Sequence, residues 1–251
     1  MAITKSIDKG VCQIGIDRQE KRNTLDIQHC LELTKMFAEA EQDPEVKAVV
    51  LCGLSNVFCP GLDIKEASAT PELVFGAFDD LIRQLDGMTK PLIAAVNGPA
   101  VAQGVELLYH FDIVYCSDHS LFSMPNLALG LTPSHGTSLL AVRNGNYKLA
   151  AQKMLLSEPI SPAEAVALGI VNHVLDDEKV LGQAVASAAR LATMPPKALK
   201  ETKRLLKASY FEGMEAAQQL EQEIFEVMLG GEENKEAIDA FLENRKPVYN
   251  N

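Results

Sequence analysis

The sequence predicts an α/β fold with a helical C-terminal region, and three observations support this prediction. Strand-like and helix-like segments alternate over the first half of the chain, as they do in proteins built on a parallel sheet. Two of the strand-like segments, residues 46–53 (VKAVVLCG) and 91–98 (PLIAAVNG), are apolar runs typical of buried strands. Beyond Ser138, almost every segment has the period of a helix instead.

The elements of the first half follow from local patterns. Residues 11–16 (VCQIGI) alternate as a strand does. Residues 27–43 repeat apolar side chains at helical spacing, and Pro44 ends that helix. The remaining predicted elements are, in order, a buried strand at 46–53, an amphipathic helix at 71–88, a buried strand at 91–98, a helix near 104–111 and a strand at 112–117.

The second half is predicted to be helical. Ser161, Pro162 and Glu164 have the spacing of an N-cap, a first-turn proline and a capping-box acid, so a helix should begin there. The chain has no low-complexity linker, and we expect two adjoining regions. These are a core over residues 1–190 and a C-terminal helical region over residues 191–251, which should pack on the core or on a neighbouring subunit.

Charge and cysteine usage exclude several classes of protein. The net charge of −11 argues against nucleic acid as a partner. The sequence has no apolar run long enough for a membrane span, and Asp8 and Lys9 stand where a signal peptide would need apolar residues. Its 5 cysteines form no CxxC pair, which indicates free thiols in a reducing compartment such as the cytoplasm. No metal site is expected.

Glu106 stands between Val105 and Leu107 in the segment 95–118 (AVNGPAVAQGVELLYHFDIVYCSD). Burying a carboxylate among apolar side chains is costly in free energy unless the group is paired or has a chemical role. The preceding small-residue turn leads into a helix near Gln103, whose first N–H groups carry the positive end of the helix dipole. An oxyanion would be stabilised there, as in acyl transfer or enolate chemistry. Glu106 is therefore a candidate catalytic residue; the alternative is a first-turn acid that only complements the dipole.

A second small-residue loop follows the other buried strand. Residues 55–66 (SNVFCPGLDIKE) pass through Pro60 and Gly61 into a helix for which Asp63 is the candidate cap. On its own this is an ordinary β-to-α loop. Two such loops, each after a buried strand, could aim two N–H groups at one oxygen atom.

The two loops resemble those of the crotonase superfamily, also called the enoyl-CoA hydratase/isomerase family. FCPGLDIKE and AVNGPAVAQGVELL are similar to the family's two oxyanion motifs, although the family usually has glycine in place of Gln103. The resemblance implies a spiral of ββα units with a C-terminal helical trimerisation region. It also implies an oxyanion hole for a thioester carbonyl, formed by the N–H groups of Leu62 and Gln103. Further similar segments cover almost the whole chain: FSMPNLALGLTP, PISPAEAVALGIVNHVL, PPKALKETKRLL and AFLENRKP.

The sequence departs from the hydratases of this family at one carboxylate. Those enzymes pair a glutamate after the second oxyanion motif with another further along; Glu106 occupies the first position and Asn126 the second. An amide can position water but cannot exchange a proton as a carboxylate does. NGPAV and LLYHFDIVYCSD look more like the Δ3,Δ2-enoyl-CoA isomerase branch, which often has its acid in a later Pro-Glu pair, where this chain has Pro133-Ser134. Asn126, Ser134 and His135 are expected in the substrate pocket, with an exposed loop histidine as the alternative for His135.

Coenzyme A carries negatively charged phosphates, and the protein has a net negative charge. Binding therefore requires a local cluster of basic residues. By resemblance, the basic residues expected to bind it are Lys21, Arg22, Lys65 and Lys246, the last in a tail that family trimers often lend to a neighbour. No separate cofactor is implied, because coenzyme A is part of the substrate. A homotrimer or a dimer of trimers is expected.

The leading functional hypothesis is an enzyme that acts on acyl-CoA thioesters, with double-bond isomerisation slightly ahead of hydration. One carboxylate can remove a proton and return it at the other end of an allylic system, whereas hydration benefits from a second acid or base. The runner-up enzyme is a hydratase that tolerates Asn126. An alternative of another class is a catalytically weak crotonase-fold module that binds acyl-CoA or assembles with partners.

Overall fold

The computed structural model describes residues 3–54 and 56–249. Within these ranges the chain forms the strands β1 (Ile3–Asp8), β2 (Val11–Ile16), β3 (Ala48–Gly53), β4 (Leu92–Val96), β5 (Ala100–Val101), β6 (Ile113–Ser117), β7 (Phe122–Ser123) and β8 (His173–Leu175). The helices are α1 (Ile27–Gln42), α2 (Ile64–Ala69), α3 (Pro71–Gly87), α4 (Gln103–Leu108), α5 (Thr137–Asn144), α6 (Tyr147–Leu155), α7 (Pro162–Ala167), α8 (Asp177–Ala192), α9 (Pro196–Tyr210), α10 (Met214–Met228) and α11 (Glu232–Leu242).

The main sheet has six strands in the order β1-β2-β3-β4-β6-β8. Only the β1–β2 pair is antiparallel, and every other pair in this sheet is parallel. β5 and β7 form a small second parallel sheet. The predicted α/β class with a parallel sheet is therefore confirmed. Because β3 and β4 are parallel neighbours, the loops that follow them leave the same edge of the sheet.

Helices cover both faces of the main sheet. On one face, Phe37 of α1 and Phe78 and Leu81 of α3 pack against β-strand residues such as Leu51. On the other face, α8 packs its small residues Ala184 and Ala188 on β3, β4 and β6. The nearly continuous apolar composition of β3 and β4 follows from this two-sided burial.

The C-terminal helices also pack on the body of the same chain. Lys203 of α9 is buried and donates hydrogen bonds to the Lys90 carbonyl oxygen (2.7 Å) and to Asp112 Oδ2 (2.6 Å). Phe225 of α10 meets Phe75 of α3 edge to face, with ring centroids 4.8 Å apart. The predicted boundary after residue 190 falls within the last turn of α8, and the division into two regions stays a prediction.

Several local predictions are confirmed. Asp63 caps α2 by accepting a hydrogen bond from the Lys65 N–H, and Ser161 and Glu164 form a reciprocal capping box at α7. No helix in the described part of the chain is long and apolar enough to cross a lipid bilayer. The cysteines predicted to be free thiols are unpaired, and all of them are buried: Cys12, Cys30, Cys52, Cys59 and Cys116.

Candidate active site

The loops that follow β3 and β4 are in direct contact. The N–H of Cys59 donates to the Pro99 carbonyl oxygen (3.1 Å), and the Val101 N–H donates to the Cys59 carbonyl oxygen (3.0 Å). A Cβ at Gly104 would lie 2.0 Å from that same Cys59 oxygen, so only glycine permits this approach. We call residues 56–62 the first loop and residues 97–102 the second loop.

Two backbone N–H groups at this contact have no acceptor among the described residues. In the first loop, the Leu25 N–H bonds to the Gly61 carbonyl and the Asp63 N–H bonds to the Leu25 carbonyl, but the Leu62 N–H between them bonds to neither. Gln103 begins α4, and its N–H likewise has no partner in the described ranges. The loops touch beside these donors, since a Cβ at Gly61 would lie 3.1 Å from Gln103 Oε1.

Ala102 holds the turn that leads into α4. Its φ of +49° and ψ of −118° form a backbone conformation that favours glycine. Neighbouring hydrogen bonds maintain this conformation: the Ala102 N–H donates to Ser123 O (2.9 Å), and its carbonyl accepts from Val105 N–H (2.8 Å) and Glu106 N–H (3.0 Å). Backbone strain of this kind concentrates at functional sites.

Glu106 lies in the first turn of α4 and is fully buried. Its Oε1 accepts a hydrogen bond from Asn126 Nδ2 (3.1 Å), and its Oε2 accepts one from Ser134 Oγ (2.9 Å). The structure therefore brings Glu106, Asn126 and Ser134 together, although Asn126 is 20 positions and Ser134 is 28 positions from Glu106 in the sequence. These side-chain donors are what a buried carboxylate requires, and the helix dipole alone does not provide them.

His135 completes this group. Its Nδ1 lies 2.9 Å from Glu106 Oε2, its Nε2 lies 2.7 Å from Asp79 Oδ1 on α3, and Phe78 meets the ring edge to face. Burial lowers the pKa of His135, but hydrogen bonds and charge interactions with Asp79 and Glu106 outweigh it and raise the pKa to about 9. The side chain is only 9% exposed, so the alternative of a surface histidine is wrong.

A cavity of about 530 Å³ opens above Ser134 and His135. α3 and α10 form its two walls. Asp79 lines this cavity and also contacts His135. Sequence reasoning missed Asp79 because nothing in the α3 pattern distinguishes this residue from a solvated surface acid. The other lining residues are Pro71, Glu72, Phe75, Gly76, Ile82, Arg83, Gln218, Gln222, Phe225, Glu226 and Leu229.

Glu221 of α10 fixes the loop that carries His135. Its carboxylate accepts hydrogen bonds from the N–H groups of Gly136 (2.6 Å) and Ser138 (2.9 Å) and from the Ser138 hydroxyl. Burial raises the pKa of Glu221, and these hydrogen bonds oppose that rise. Sequence reasoning also missed this residue, which lies 85 positions from Gly136.

The residues predicted to bind coenzyme A are spread more widely. Lys21 forms an ion pair with Asp63 (Nζ to Oδ2, 3.4 Å), which places it beside the first loop. Lys65 lies exposed in the first turn of α2, and Arg22 is exposed next to Lys21. Lys246 lies in the exposed tail after α11, where its side chain has no hydrogen bond or ion pair with a described residue.

Comparison with known proteins agrees with this architecture. The family model for enoyl-CoA hydratase/isomerase matches residues 6–251. A 2,3-dehydroadipyl-CoA hydratase of Escherichia coli K12 is 30% identical over 242 residues, covering 95% of this chain and 94% of that protein. A short-chain-enoyl-CoA hydratase of Clostridium acetobutylicum is 31% identical over 241 residues, covering 94% and 92%.

Solved structures share the fold along the whole chain. The crystal structure of an enoyl-CoA hydratase/isomerase from Pseudoalteromonas atlantica T6c superimposes with a TM-score of 0.92 at 28% identity, and the match covers 100% of both chains. The fold, the family match and the length of these alignments lead to one conclusion: this chain belongs to the enoyl-CoA hydratase/isomerase family of the crotonase superfamily.

Proposed function

We propose that the protein is an enzyme that stabilises a thioester enolate of an acyl-CoA substrate at the contact between the first and second loops. The observation that carries this proposal is the pair of N–H groups, of Leu62 and Gln103, that have no acceptor among the described residues, with the buried Glu106 on the same helix as Gln103. Both N–H groups would donate to the thioester oxygen as negative charge develops on it, and one such donor is typically worth about 2.7–4 kcal/mol.

Glu106 is the proposed base. Gln103 and Glu106 are three positions apart on α4 and therefore share one face of that helix. In the isomerisation, Glu106 removes a proton from C2 of a 3-enoyl thioester, and the electron pair moves into the enolate. The double bond then shifts from C3–C4 to C2–C3 as Glu106 returns the proton to C4. This sequence needs one carboxylate and no water, which matches the amide of Asn126 beside Glu106.

Hydration is the second candidate reaction, and one observation favours it. Asn126 Oδ1 is buried and accepts no hydrogen bond within the described part of the chain. An amide oxygen of this kind can hold a water molecule beside the acyl chain. The two curated relatives described above are also named as hydratases.

Turnover of short 2-enoyl- and 3-enoyl-CoA thioesters tests the proposal against a binding module of the same fold. Conversion of at least one thioester supports an enzyme. Tight binding of several thioesters without conversion of any would favour the catalytically weak module instead.

Asn126→Glu is expected to raise hydration relative to isomerisation. Asn126 Nδ2 lies 3.1 Å from Glu106 Oε1, so the new carboxylate would stand beside the first. Two neighbouring carboxylates raise the pKa of one of them, which suits a group that must donate a proton. The ratio of hydrated to isomerised product measures the effect, and Asn126→Gln, which adds length but no acid, is the matched control. Equal ratios in both variants would contradict a role for the missing acid.

Acyl-CoA thioesters should bind at least about tenfold more tightly than the corresponding free acids, a difference of about 1.4 kcal/mol. Asp63 follows the first loop, pairs with the Lys21 ammonium group and accepts a hydrogen bond from the Lys65 N–H. Arg22 is next to Lys21 in the sequence, so the nucleotide of coenzyme A would meet positive charge beside this loop. Calorimetry on an acyl-CoA and its free acid measures the difference. Equal affinities would show that the protein does not recognise coenzyme A.

A trimer or a dimer of trimers is the assembly that we propose. α9, α10 and α11 leave large apolar side chains exposed, and Val227 is 83% exposed. Closed rotational symmetry is the usual way in which soluble proteins cover such surfaces. Sedimentation at micromolar concentration should give a trimer or hexamer, and a stable monomer would contradict the proposal. The other exposed apolar residues of these helices include Leu205, Leu206, Leu220, Ile224, Phe241 and Leu242.

A further inference from the structure

His135 is held between two carboxylates that lie far apart in the sequence. Its Nδ1 lies 2.9 Å from Glu106 Oε2, and its Nε2 lies 2.7 Å from Asp79 Oδ1. Ser134 Oγ also lies 2.8 Å from Nδ1, but its one proton is donated to Glu106 Oε2. A neutral imidazole has one donor nitrogen and one acceptor nitrogen, so with both carboxylates ionised one of them would face a lone pair. Only the doubly protonated ring donates to both.

The backbone and the surrounding loop make this arrangement rigid. His135 has a φ of +59°, in the left-handed region, and the next residue is anchored through its N–H to Glu221 Oε2 (2.6 Å). Phe78 packs its ring against the imidazole with centroids 4.9 Å apart. A side chain that only filled space would not need a strained backbone and two aligned carboxylates.

We propose that His135 is an imidazolium that positions Glu106. It donates to Glu106 Oε2 and holds that oxygen in place, while Asp79 anchors the other end of the ring at the cavity wall. His135 acts through Glu106 and is a positioning residue; it has no free N–H for the substrate. This inference rests on the proposed role of Glu106 as the base.

The charges around His135 come from several elements. Asp79 on α3 and Glu106 on α4 contact the ring directly, and Glu221 on α10 faces its loop. The two direct contacts raise the pKa of His135 to about 9. The ring therefore stays protonated in the folded protein up to about pH 9. Its contribution to folding stability is complete below about pH 6.5, the ordinary pKa of histidine, and is lost as the pH rises through about 9. The remaining ionisable groups of the cavity are Glu72, Arg83 and Glu226.

NMR titration of histidine-labelled full-length protein measures the charge of His135 without reference to catalysis. The signal is assigned with His135→Asn, because asparagine tolerates left-handed backbone. We expect both ring nitrogens to be protonated at pH 7.5 and expect Asp79→Asn and Glu106→Gln each to lower the titration midpoint by at least about one pH unit. His119→Asn, at an 84% exposed side chain, is the control that should leave the midpoint unchanged.

Kinetics then test the positioning role. In the wild type, kcat/KM should fall above about pH 9, and Asp79→Asn should move this fall to lower pH in step with the NMR midpoint. His135→Asn should lower kcat about tenfold or more with little change in KM and should abolish the fall.

Each remaining outcome decides against one proposal. A neutral ring at pH 7.5, or a midpoint that Glu106→Gln leaves in place, overturns the inference whatever the kinetics. A pH profile that does not follow the midpoint in Asp79→Asn overturns the positioning role alone. If His135 titrates as expected but the protein converts no thioester, the proposed function is contradicted, and so is the positioning role, which depends on it.

Discussion

Glutamine in place of Glu106 is expected to lower turnover of an enoyl-CoA by about 10²-fold or more, with the fold and acyl-CoA affinity retained. Glutamine keeps the length of the side chain but cannot accept and return a proton. The site can accommodate the glutamine amide. Asn126 Oδ1 accepts no hydrogen bond from the described residues, so a rotation of the Asn126 side chain would let this oxygen accept one from the new NH₂ group.

A matched control separates proton transfer from the helix dipole. Glu178 is an exposed first-turn acid of α8, far from the two loops in the sequence, and Glu178→Gln removes only its interaction with a helix N-terminus. That interaction is worth about 0.3–1 kcal/mol of stability. Steady-state kinetics and thermal unfolding on both variants make the comparison. Wild-type turnover in Glu106→Gln, with a stability loss no larger than that of Glu178→Gln, would mean that Glu106 is structural.

Alanine in place of Gly104 is expected to lower turnover by about 10²–10³-fold, the effect of losing one oxyanion donor. Its Cβ would lie 2.0 Å from the Cys59 carbonyl oxygen, and real Cβ atoms do not approach a backbone oxygen so closely. The first and second loops must therefore move apart. The Leu62 and Gln103 N–H groups, the proposed oxyanion donors, would then be displaced relative to each other, although the distant sheet and helices remain packed.

Gly182→Ala is the control for this change. Gly182 lies in the interior of α8, and its added Cβ would meet no atom within 4 Å. Alanine there should stabilise the fold by about 0.5–1 kcal/mol and leave turnover unchanged. Full turnover in a folded Gly104→Ala variant would contradict the proposed oxyanion hole.

The sequence predicted the parts of the fold that depend on local patterns. β3 and β4 were recognisable because two-sided burial makes each a continuous apolar run, and the capping box at Ser161 is a local hydrogen-bonding pattern. β1 and β8 were missed because they lie at the edges of the sheet and are largely exposed, so their composition is mixed. The short strands β5 and β7 have no period to detect.

The site could be predicted only in part, for a similar reason. Glu106 was recognisable because a lone carboxylate interrupts an apolar helix start. Asp79 was not, since its contact with His135 joins residues 56 positions apart and depends on how α3 packs over the loop that precedes α5. Glu221 reaches its loop from still further away. Contacts of this kind are set by tertiary packing, which leaves no local mark on the sequence.

The most direct test of enolate chemistry at this site is to identify the product that the wild-type protein forms from a 3-enoyl-CoA, with Glu106→Gln incubated in parallel. The proposed mechanism predicts the conjugated 2-enoyl-CoA as the first product, together with a loss of its formation of about 10²-fold or more in the variant. Formation of the 2-enoyl-CoA at equal rates by both proteins, or no conversion of any enoyl-CoA by the wild type, would contradict it.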